Sequence, residues 1–180
     1  IIVCGTTGEA ATLSEKEHCE TISFVAEKTN GRIPVIAGTG SNDTSTAVML
    51  SKSAASTGVD ALLCVTPYYN KTSQQGLVRH FNVVADSVDI PIILYNVPSR
   101  TGQNVEAETT LRLAKEFPNL FLIKEASPNI LQYFDILRKK TEGFNLVSGD
   151  DEFTLPVTLA GGAGVISVIG QGYPKEFSTM

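Results

Sequence analysis

The 180-residue chain has little of what several large classes of function require. Its two histidines and three cysteines (Cys4, Cys19 and Cys64) include no C-x-x-C spacing of the kind used by zinc and dithiol sites. Its 14 lysines and arginines form no basic cluster, and the net charge of −5 disfavours a nucleic-acid partner. No apolar run is long enough to cross a bilayer. The odd number of widely spaced cysteines predicts a reducing, cytoplasmic compartment.

The chain also lacks the glycine patterns of nucleotide-binding folds. A doubly wound dinucleotide binder carries G-x-G-x-x-G after its first strand. The nearest match begins at Gly38 and Gly40, but Asp43 occupies the position of the third glycine. No P-loop lysine is found in the chain. These absences disfavour an open, nucleotide-binding sheet.

Short apolar runs alternate regularly with helical patterns along the whole chain. Most of these runs are continuously apolar, which is typical of parallel strands covered on both faces. The predicted strands are residues 1–4, 34–38, 61–66, 92–97, 120–125, 145–148 and 164–168. This β-then-α alternation, without a linker, predicts one parallel-sheet domain over residues 1–180.

Capping residues mark the predicted helices. Ser14 and Thr72 are each followed three residues later by Glu or Gln, which is capping-box spacing, and Ser127 precedes a proline that suits the first helical position. Glycine ends many helices because it adopts the left-handed conformation without strain. The glycines predicted to end helices are Gly31, Gly58 and Gly143.

A closed (β/α)₈ barrel fits better than an open sheet, because polar residues follow nearly every predicted strand. Barrel active sites are built at this end of the strands. The residues are Thr6, Thr7, Thr39, Thr66, Tyr69, Tyr95, Asn96, Lys124, Glu125, Ser148 and Asp150. A complete barrel has eight strands in about 250 residues. We therefore expect an α/β TIM-barrel fragment covering strands 2 to 8, without the first βα unit and the C-terminal helical region.

Lys124 is the most unusual of these residues, because it ends a run that should be fully covered. Local sequence leaves two interpretations open. The side chain could reach water or pair with Glu125. Alternatively, burial could lower its pKa from about 10.4 by up to about 3–5 units, making it an amine nucleophile that forms a Schiff base.

Four further positions each have a structural and a functional interpretation. Tyr95 and Tyr69 are either core packing or phenols that transfer protons beside threonine hydroxyls. The turn that contains Thr6 and Thr7 is either a plain βα loop or a binding site for a small carboxylate. Arg100 is either solvated or positioned to clamp a substrate carboxylate through two hydrogen bonds.

Five motifs occur in one order along the chain. They are residues 5–9 (GTTGE), 67–70 (PYYN), 95–102 (YNVPSRTG), 123–126 (IKEA) and 148–151 (SGDD). Together they resemble the dihydrodipicolinate synthase family, which belongs with N-acetylneuraminate lyase to the pyruvate-dependent class I aldolases. The resemblance covers the whole chain. It implies Schiff-base condensation of pyruvate with aspartate semialdehyde to 4-hydroxy-tetrahydrodipicolinate, in lysine and diaminopimelate biosynthesis.

The resemblance also implies roles for particular residues. Lys124 matches the lysine that condenses with pyruvate, so no metal or separate cofactor is expected. Thr6, Tyr69 and Tyr95 match the proton-relay triad of the family, in which the tyrosine at position 69 comes from the neighbouring subunit. The family typically forms homotetramers built as a dimer of dimers.

Four positions match contacts to the substrates. Thr7 matches a contact to the pyruvate carboxylate, and Arg100 matches the arginine that holds the carboxylate of aspartate semialdehyde. Gly149 and Ile166 match positions lining the pyruvate site, the latter through its backbone carbonyl. The alternatives are N-acetylneuraminate lyase or a 2-keto-3-deoxy sugar acid aldolase of the same superfamily. An alternative of another class is an inactive fragment or non-catalytic scaffold.

Some members of this family are inhibited by lysine at a site between subunits. Asn42, Tyr68 and His18 match residues of that site. Glu15 and Thr46, however, replace a histidine and a glutamate of the lysine-sensitive pattern. The sequence therefore predicts weak or absent inhibition by lysine.

Overall fold

The computed structural model describes residues 1–179, and within these seven parallel strands form one sheet. Their order in the sheet is their order in the chain, so each strand pairs with the next. The strands are β1 (Ile2–Val3), β2 (Ile36–Gly38), β3 (Ala61–Val65), β4 (Ile92–Asn96), β5 (Leu120–Glu125), β6 (Asn145–Ser148) and β7 (Gly164–Val165). The predicted strand sequence is confirmed. The last strand ends three residues earlier than predicted, because the chain turns into a 3₁₀ helix at Ile169–Gln171.

Helices connect the strands as the alternating pattern predicts. They are α1 (Glu15–Thr29), α2 (Thr44–Ala55), α3 (Gln74–Ala85), α4 (Pro98–Thr101), α5 (Ala107–Glu116), α6 (Ile130–Lys139), α7 (Thr154–Leu159) and α8 (Pro174–Thr179). Among residues 1–179, no helix combines the length and apolarity that a bilayer crossing requires.

The sheet carries an apolar cluster on each face. The outer cluster packs strand residues such as Leu94 and Ile123 against helix residues such as Phe81 and Tyr133. The inner cluster lies on the opposite face and consists mainly of Leu63, Ile93, Tyr95, Val97, Leu122, Ala126 and Val147. Burial on both faces, together with parallel strands in sequential order, is the arrangement of a barrel with helices outside and packed side chains inside. The (β/α) barrel architecture is confirmed for these seven strands.

The predicted start of α1 is confirmed. The Ser14 hydroxyl accepts a hydrogen bond from the Glu17 backbone N–H at 3.3 Å, and the Glu17 carboxylate accepts one from the Ser14 N–H at 2.9 Å. Positive φ angles of 70°, 81° and 86° occur at Gly31, Gly58 and Gly143, as expected for glycine turns. The helices themselves end earlier, at the caps Asn30, Ser56 and Lys140, so the prediction that the glycines end them is wrong.

The other two predicted helix starts are wrong. Helix α3 begins after Ser73, because the Thr72 backbone N–H donates to the side chain of Gln103 at 2.9 Å. Helix α6 begins after Asn129 rather than Ser127. The Ser127 N–H donates instead to the Glu125 carboxylate, at 2.8 Å.

Candidate active site

The carboxyl ends of β4 and β5 bring the two central candidates together. The two strands pair in register, with Tyr95 opposite Lys124 and Asn96 opposite Glu125. Tyr95 belongs to the inner cluster, and the Lys124 ammonium nitrogen lies 4.2 Å from the centre of its ring. Successive strand residues point to opposite faces. Tyr95 and Lys124 therefore share the inner face of the sheet.

Lys124 is buried, with 9% of its surface exposed. Burial lowers the pKa of its amine to about 8. The positive charge of Arg100 lowers this pKa further, whereas Asp150 and Asp151 oppose the shift. Pairing with Glu125 is excluded, because that carboxylate is hydrogen-bonded on the other face of the sheet. The first interpretation of Lys124, a solvated or ion-paired lysine, is thus wrong.

Tyr95 provides a phenol that stays protonated at neutral pH. Burial raises its pKa, and the Thr6 hydroxyl and the Arg100 charge only partly oppose this. Thr6 begins the 3₁₀ turn Thr6–Gly8, which follows β1 at the same end of the sheet. A protonated phenol next to a hydroxyl can both donate and accept a proton.

A cavity of about 690 Å³ opens at this end of the sheet. Of the predicted site residues, Thr6, Tyr69, Tyr95 and Arg100 line it. Lys124 does not line this cavity, but its ammonium nitrogen lies against the ring of Tyr95, which does.

Three further predicted residues lie at the same end of the sheet, although none of them lines the cavity. Gly149 lies against Lys124: a Cβ at this position would be 3.0 Å from Lys124 Cε and 2.6 Å from the Cβ of Ala126. The Ile166 backbone N–H donates to the carbonyl of Ser148 at 2.9 Å, and its side chain packs against the inner cluster. Thr7 is exposed in the same 3₁₀ turn as Thr6. The structure thus places Gly149 directly beside the amine.

Tyr69 and Arg100 both lie in exposed segments that follow strands. Tyr69 lies beyond the end of β3, which finishes at Val65, and the residue is 90% exposed. It therefore does not pack in the core. Its φ of 69° is unusual for a residue with a side chain. Arg100 lies in the one-turn helix α4, and it is exposed.

Two acidic residues act on the site although the sequence assigned them no specific role. Asp150 and Asp151 follow β6, and their charges favour the protonated form of Lys124. In the sequence they are visible only as two acidic residues that closely follow a predicted strand. Within residues 1–179, no group of three or more His, Cys, Asp or Glu side chains is arranged to hold a metal ion.

Proteins that resemble this chain in sequence and structure include members of one enzyme family. A profile of the dihydrodipicolinate synthetase family matches residues 1–180. The chain is 49% identical over 180 residues to the 4-hydroxy-tetrahydrodipicolinate synthase of Parabacteroides distasonis, covering 100% of this chain and 61% of that protein. A synthase of the same name from a Thermoanaerobacter species is 52% identical with the same coverage. The chain therefore spans about three fifths of the length of the curated relatives it matches.

Solved structures superpose on the same stretch. Dihydrodipicolinate synthase from Aquifex aeolicus matches with a TM-score of 0.97 and 47% identity, covering 99% of this chain and 61% of that one. The chloride-inhibited synthase from Acinetobacter baumannii, solved with pyruvate, gives 0.95 and 44% over 99% and 61% of the two chains. Profile, sequence and structure agree that the chain belongs to the dihydrodipicolinate synthetase family.

Proposed function

We propose that the protein carrying this chain is a class I lyase that condenses pyruvate with aspartate semialdehyde to 4-hydroxy-tetrahydrodipicolinate. The observation that carries the proposal is the buried Lys124 amine, with a pKa of about 8, above the Tyr95 ring. Lowering the pKa from 10.5 to about 8 raises the fraction of free amine at pH 7 about 300-fold. That fraction is the nucleophile for a ketone.

The proposed reaction begins with attack of the Lys124 amine on the keto carbon of pyruvate. Two proton transfers then remove the carbonyl oxygen as water and leave a protonated imine. This iminium withdraws electrons from the adjacent methyl group, which loses a proton to form an enamine without help from a metal. The enamine carbon attacks the aldehyde, and cyclisation by the substrate amine releases Lys124.

Tyr95 is the proposed proton carrier in these steps. Its phenol stays protonated, and it shares the cavity with Thr6 and Tyr69. Each transfer needs a group that accepts a proton and later returns it, which a hydroxyl relay provides. We propose that Thr6 of the same chain and Tyr69 of a neighbouring subunit complete this relay.

Pyruvate would be held by its carboxylate near the inner face. Thr7 offers a hydroxyl in the 3₁₀ turn, while Gly149 leaves room beside the lysine, and the backbone carbonyl of Ile166 completes the proposed pocket. The relative from Acinetobacter baumannii that was solved with pyruvate shares this fold.

The exposure of Tyr69 supports a proposed assembly. A phenol that is 90% exposed on a loop is available to another subunit. We propose that Tyr69 completes the relay of a neighbouring chain within a dimer, and that two such dimers form the homotetramer. A chain without its neighbour would then hold an incomplete relay.

The proposal is tested by comparing aldehydes. Turnover of pyruvate should be measured with aspartate semialdehyde and with N-acetylmannosamine, on a full-length chain that carries these residues. Preference for aspartate semialdehyde supports the synthase. Preference for N-acetylmannosamine would assign the protein to the lyase branch instead, and trapping of pyruvate without any turnover would indicate a binding scaffold.

Replacing Arg100 by leucine is expected to weaken use of aspartate semialdehyde selectively. Arg100 lines the cavity mouth, and a lost charge-assisted pair costs about 1.5–3 kcal/mol. We expect kcat/KM for the aldehyde to fall about 10- to 100-fold. Borohydride trapping of pyruvate should slow much less, because burial lowers the pKa of Lys124 more than the Arg100 charge does. The exposed Arg79 of α3 is the control, since R79L should alter neither. An equal loss in both assays would contradict the assignment.

Inhibition by lysine is expected to be weak or absent. Glu15, His18 and Thr46 line the same cavity, but the Thr46 hydroxyl donates to Asp43 at 2.8 Å and supplies no charge for an ammonium group. Initial rates at increasing lysine concentration check this expectation. The double variant E15H/T46E should be more sensitive than the natural chain. Inhibition of the natural chain in the millimolar range would refute the prediction.

A further inference from the structure

The Glu125 carboxylate is a buried group held mainly by N–H donors. The residue has no exposed surface. Its two oxygens accept from Asn96 Nδ2 at 2.9 and 3.0 Å. They also accept from the Ser127 backbone N–H at 2.8 Å and from Gln132 Nε2 at 2.9 Å. We refer to Asn96, Ser127 and Gln132 as the Glu125 cradle.

The surrounding bonds fix which way both amides of the cradle point. The Val105 backbone N–H donates to Asn96 Oδ1 at 3.0 Å, so the NH₂ group of Asn96 must face Glu125. Gln132 Nε2 also donates to the Val105 carbonyl at 3.1 Å, so its NH₂ group is fixed as well. A protonated Glu125 could donate its O–H only to the Ser127 hydroxyl, because the other groups around it are N–H donors. Burial raises the pKa of Glu125, and the hydrogen bonds of the cradle oppose this shift because they favour the ionised carboxylate.

The cradle lies directly behind the proposed reactive pair. Asn96 and Glu125 are paired in the sheet next to the pair of Tyr95 and Lys124. Because neighbouring strand residues point to opposite faces, the bonds on the outer face set the separation of the two side chains on the inner face. The Ala126 N–H adds a backbone bond to the Asn96 carbonyl at 2.8 Å.

The cradle also reaches the loop that follows the Arg100 helix. Asn104 accepts from Asn96 Nδ2 at 2.9 Å and donates to Gln132 Oε1 at 2.9 Å. This loop begins directly after Gly102, which ends α4. One carboxylate thus ties together two strand ends, helix α6 and the loop behind the cavity mouth.

We propose that Glu125 is a positioning residue, whose ionised carboxylate holds the end of β5 against β4 and keeps the Lys124 amine buried over the Tyr95 ring. The inference rests on the proposed Schiff-base function. It adds that the reactivity of the lysine depends on a carboxylate on the opposite face of the sheet. Glu125 touches neither substrate nor the reacting amine and acts through strand alignment.

The test measures the rate of borohydride trapping of pyruvate against pH in a full-length chain that carries these residues. E125Q places an NH₂ group among donors, and E125D keeps the charge but shortens its reach. Both are expected to raise the pH of half-maximal trapping by one unit or more and to slow trapping at pH 7 about tenfold. I136A, a cavity variant in α6, is the control for lost stability and should leave the midpoint unchanged per folded molecule.

The direction of the shift separates positioning from direct electrostatics. Loss of a nearby negative charge alone would lower the midpoint in E125Q and leave it in place in E125D, and that pattern would overturn the proposal. Unchanged midpoints in both variants would overturn it as well. If E125Q does not fold, Q132L replaces it, because this variant removes one donor from the cradle. Q132L should raise the pH of half-maximal trapping by less than E125Q would. If neither E125D nor Q132L raises this pH, the inference is refuted. Absence of trapping in the natural chain would refute the Schiff-base function itself.

Discussion

Replacing Lys124 by methionine is expected to abolish the borohydride-trapped adduct with pyruvate and to lower turnover at least about a thousandfold. Methionine fills a similar volume but offers no amine, and removing a buried amine with a depressed pKa costs little packing. Mass spectrometry of the reduced protein locates the adduct, and circular dichroism confirms that the variant is folded. An adduct that persists in K124M would place the Schiff base on another residue.

The rate at which the natural chain is trapped with pyruvate is expected to depend on pH. Because burial lowers the pKa of Lys124 to about 8, the free amine is present above that pH and is lost as the pH falls through it. At pH 6 only about 1% of the amine is free, so trapping should be about a hundredfold slower than at its plateau. K115M, which changes an exposed lysine of α5, is the control and should retain the adduct.

Replacing Tyr95 by phenylalanine is expected to lower turnover by about 10²- to 10⁴-fold, the usual range for losing a general acid–base group. The ring that contacts the Lys124 ammonium remains, so the amine should stay buried. We therefore expect the pH midpoint of pyruvate trapping to stay near 8, while trapping itself becomes slower. Steady-state rates and the trapping profile, measured on the same preparation, check both parts.

Tyr133 provides a matched control for this substitution. It is another buried tyrosine, but it packs in the outer cluster and donates to the Ser127 carbonyl at 3.2 Å. Y133F should cost about 1 kcal/mol of stability and leave turnover of the folded protein largely unchanged. A loss of turnover in Y133F as large as that in Y95F would show that the phenol of Tyr95 has no special part in the reaction.

Much of the fold could be predicted because its signals are local. Continuous apolar runs identified the parallel strands, and polar residues after them identified the end that carries the site. The predicted starts of α3 and α6 are wrong because other side chains engage the backbone at the expected caps: Gln103 accepts from the Thr72 N–H, and Glu125 accepts from the Ser127 N–H. Periodicity within a chain segment contains no information on such partners.

The residues of the candidate site could be identified from the sequence, but their contacts could not. An unusual lysine after a covered strand was visible in the sequence, but its burial and its lowered pKa depend on neighbouring strands. Adjacency in the chain suggests that Glu125 contacts Lys124 as an ion-pair partner. In a strand, adjacent side chains point apart, and Glu125 is bonded to amides instead. Assigning its partners requires the register of β4 against β5.

The exposed phenol of Tyr69 has a consequence for how the protein responds to dilution. Under the proposed assembly, separated chains would keep Lys124 and Tyr95 in place, since both are fixed within one sheet. They would lose only the hydroxyl that a neighbour supplies. Dilution would therefore slow every step that uses the relay, from imine formation onward, while the amine that attacks pyruvate stays in place. The concentration of protein in solution would then set the turnover rate of each chain.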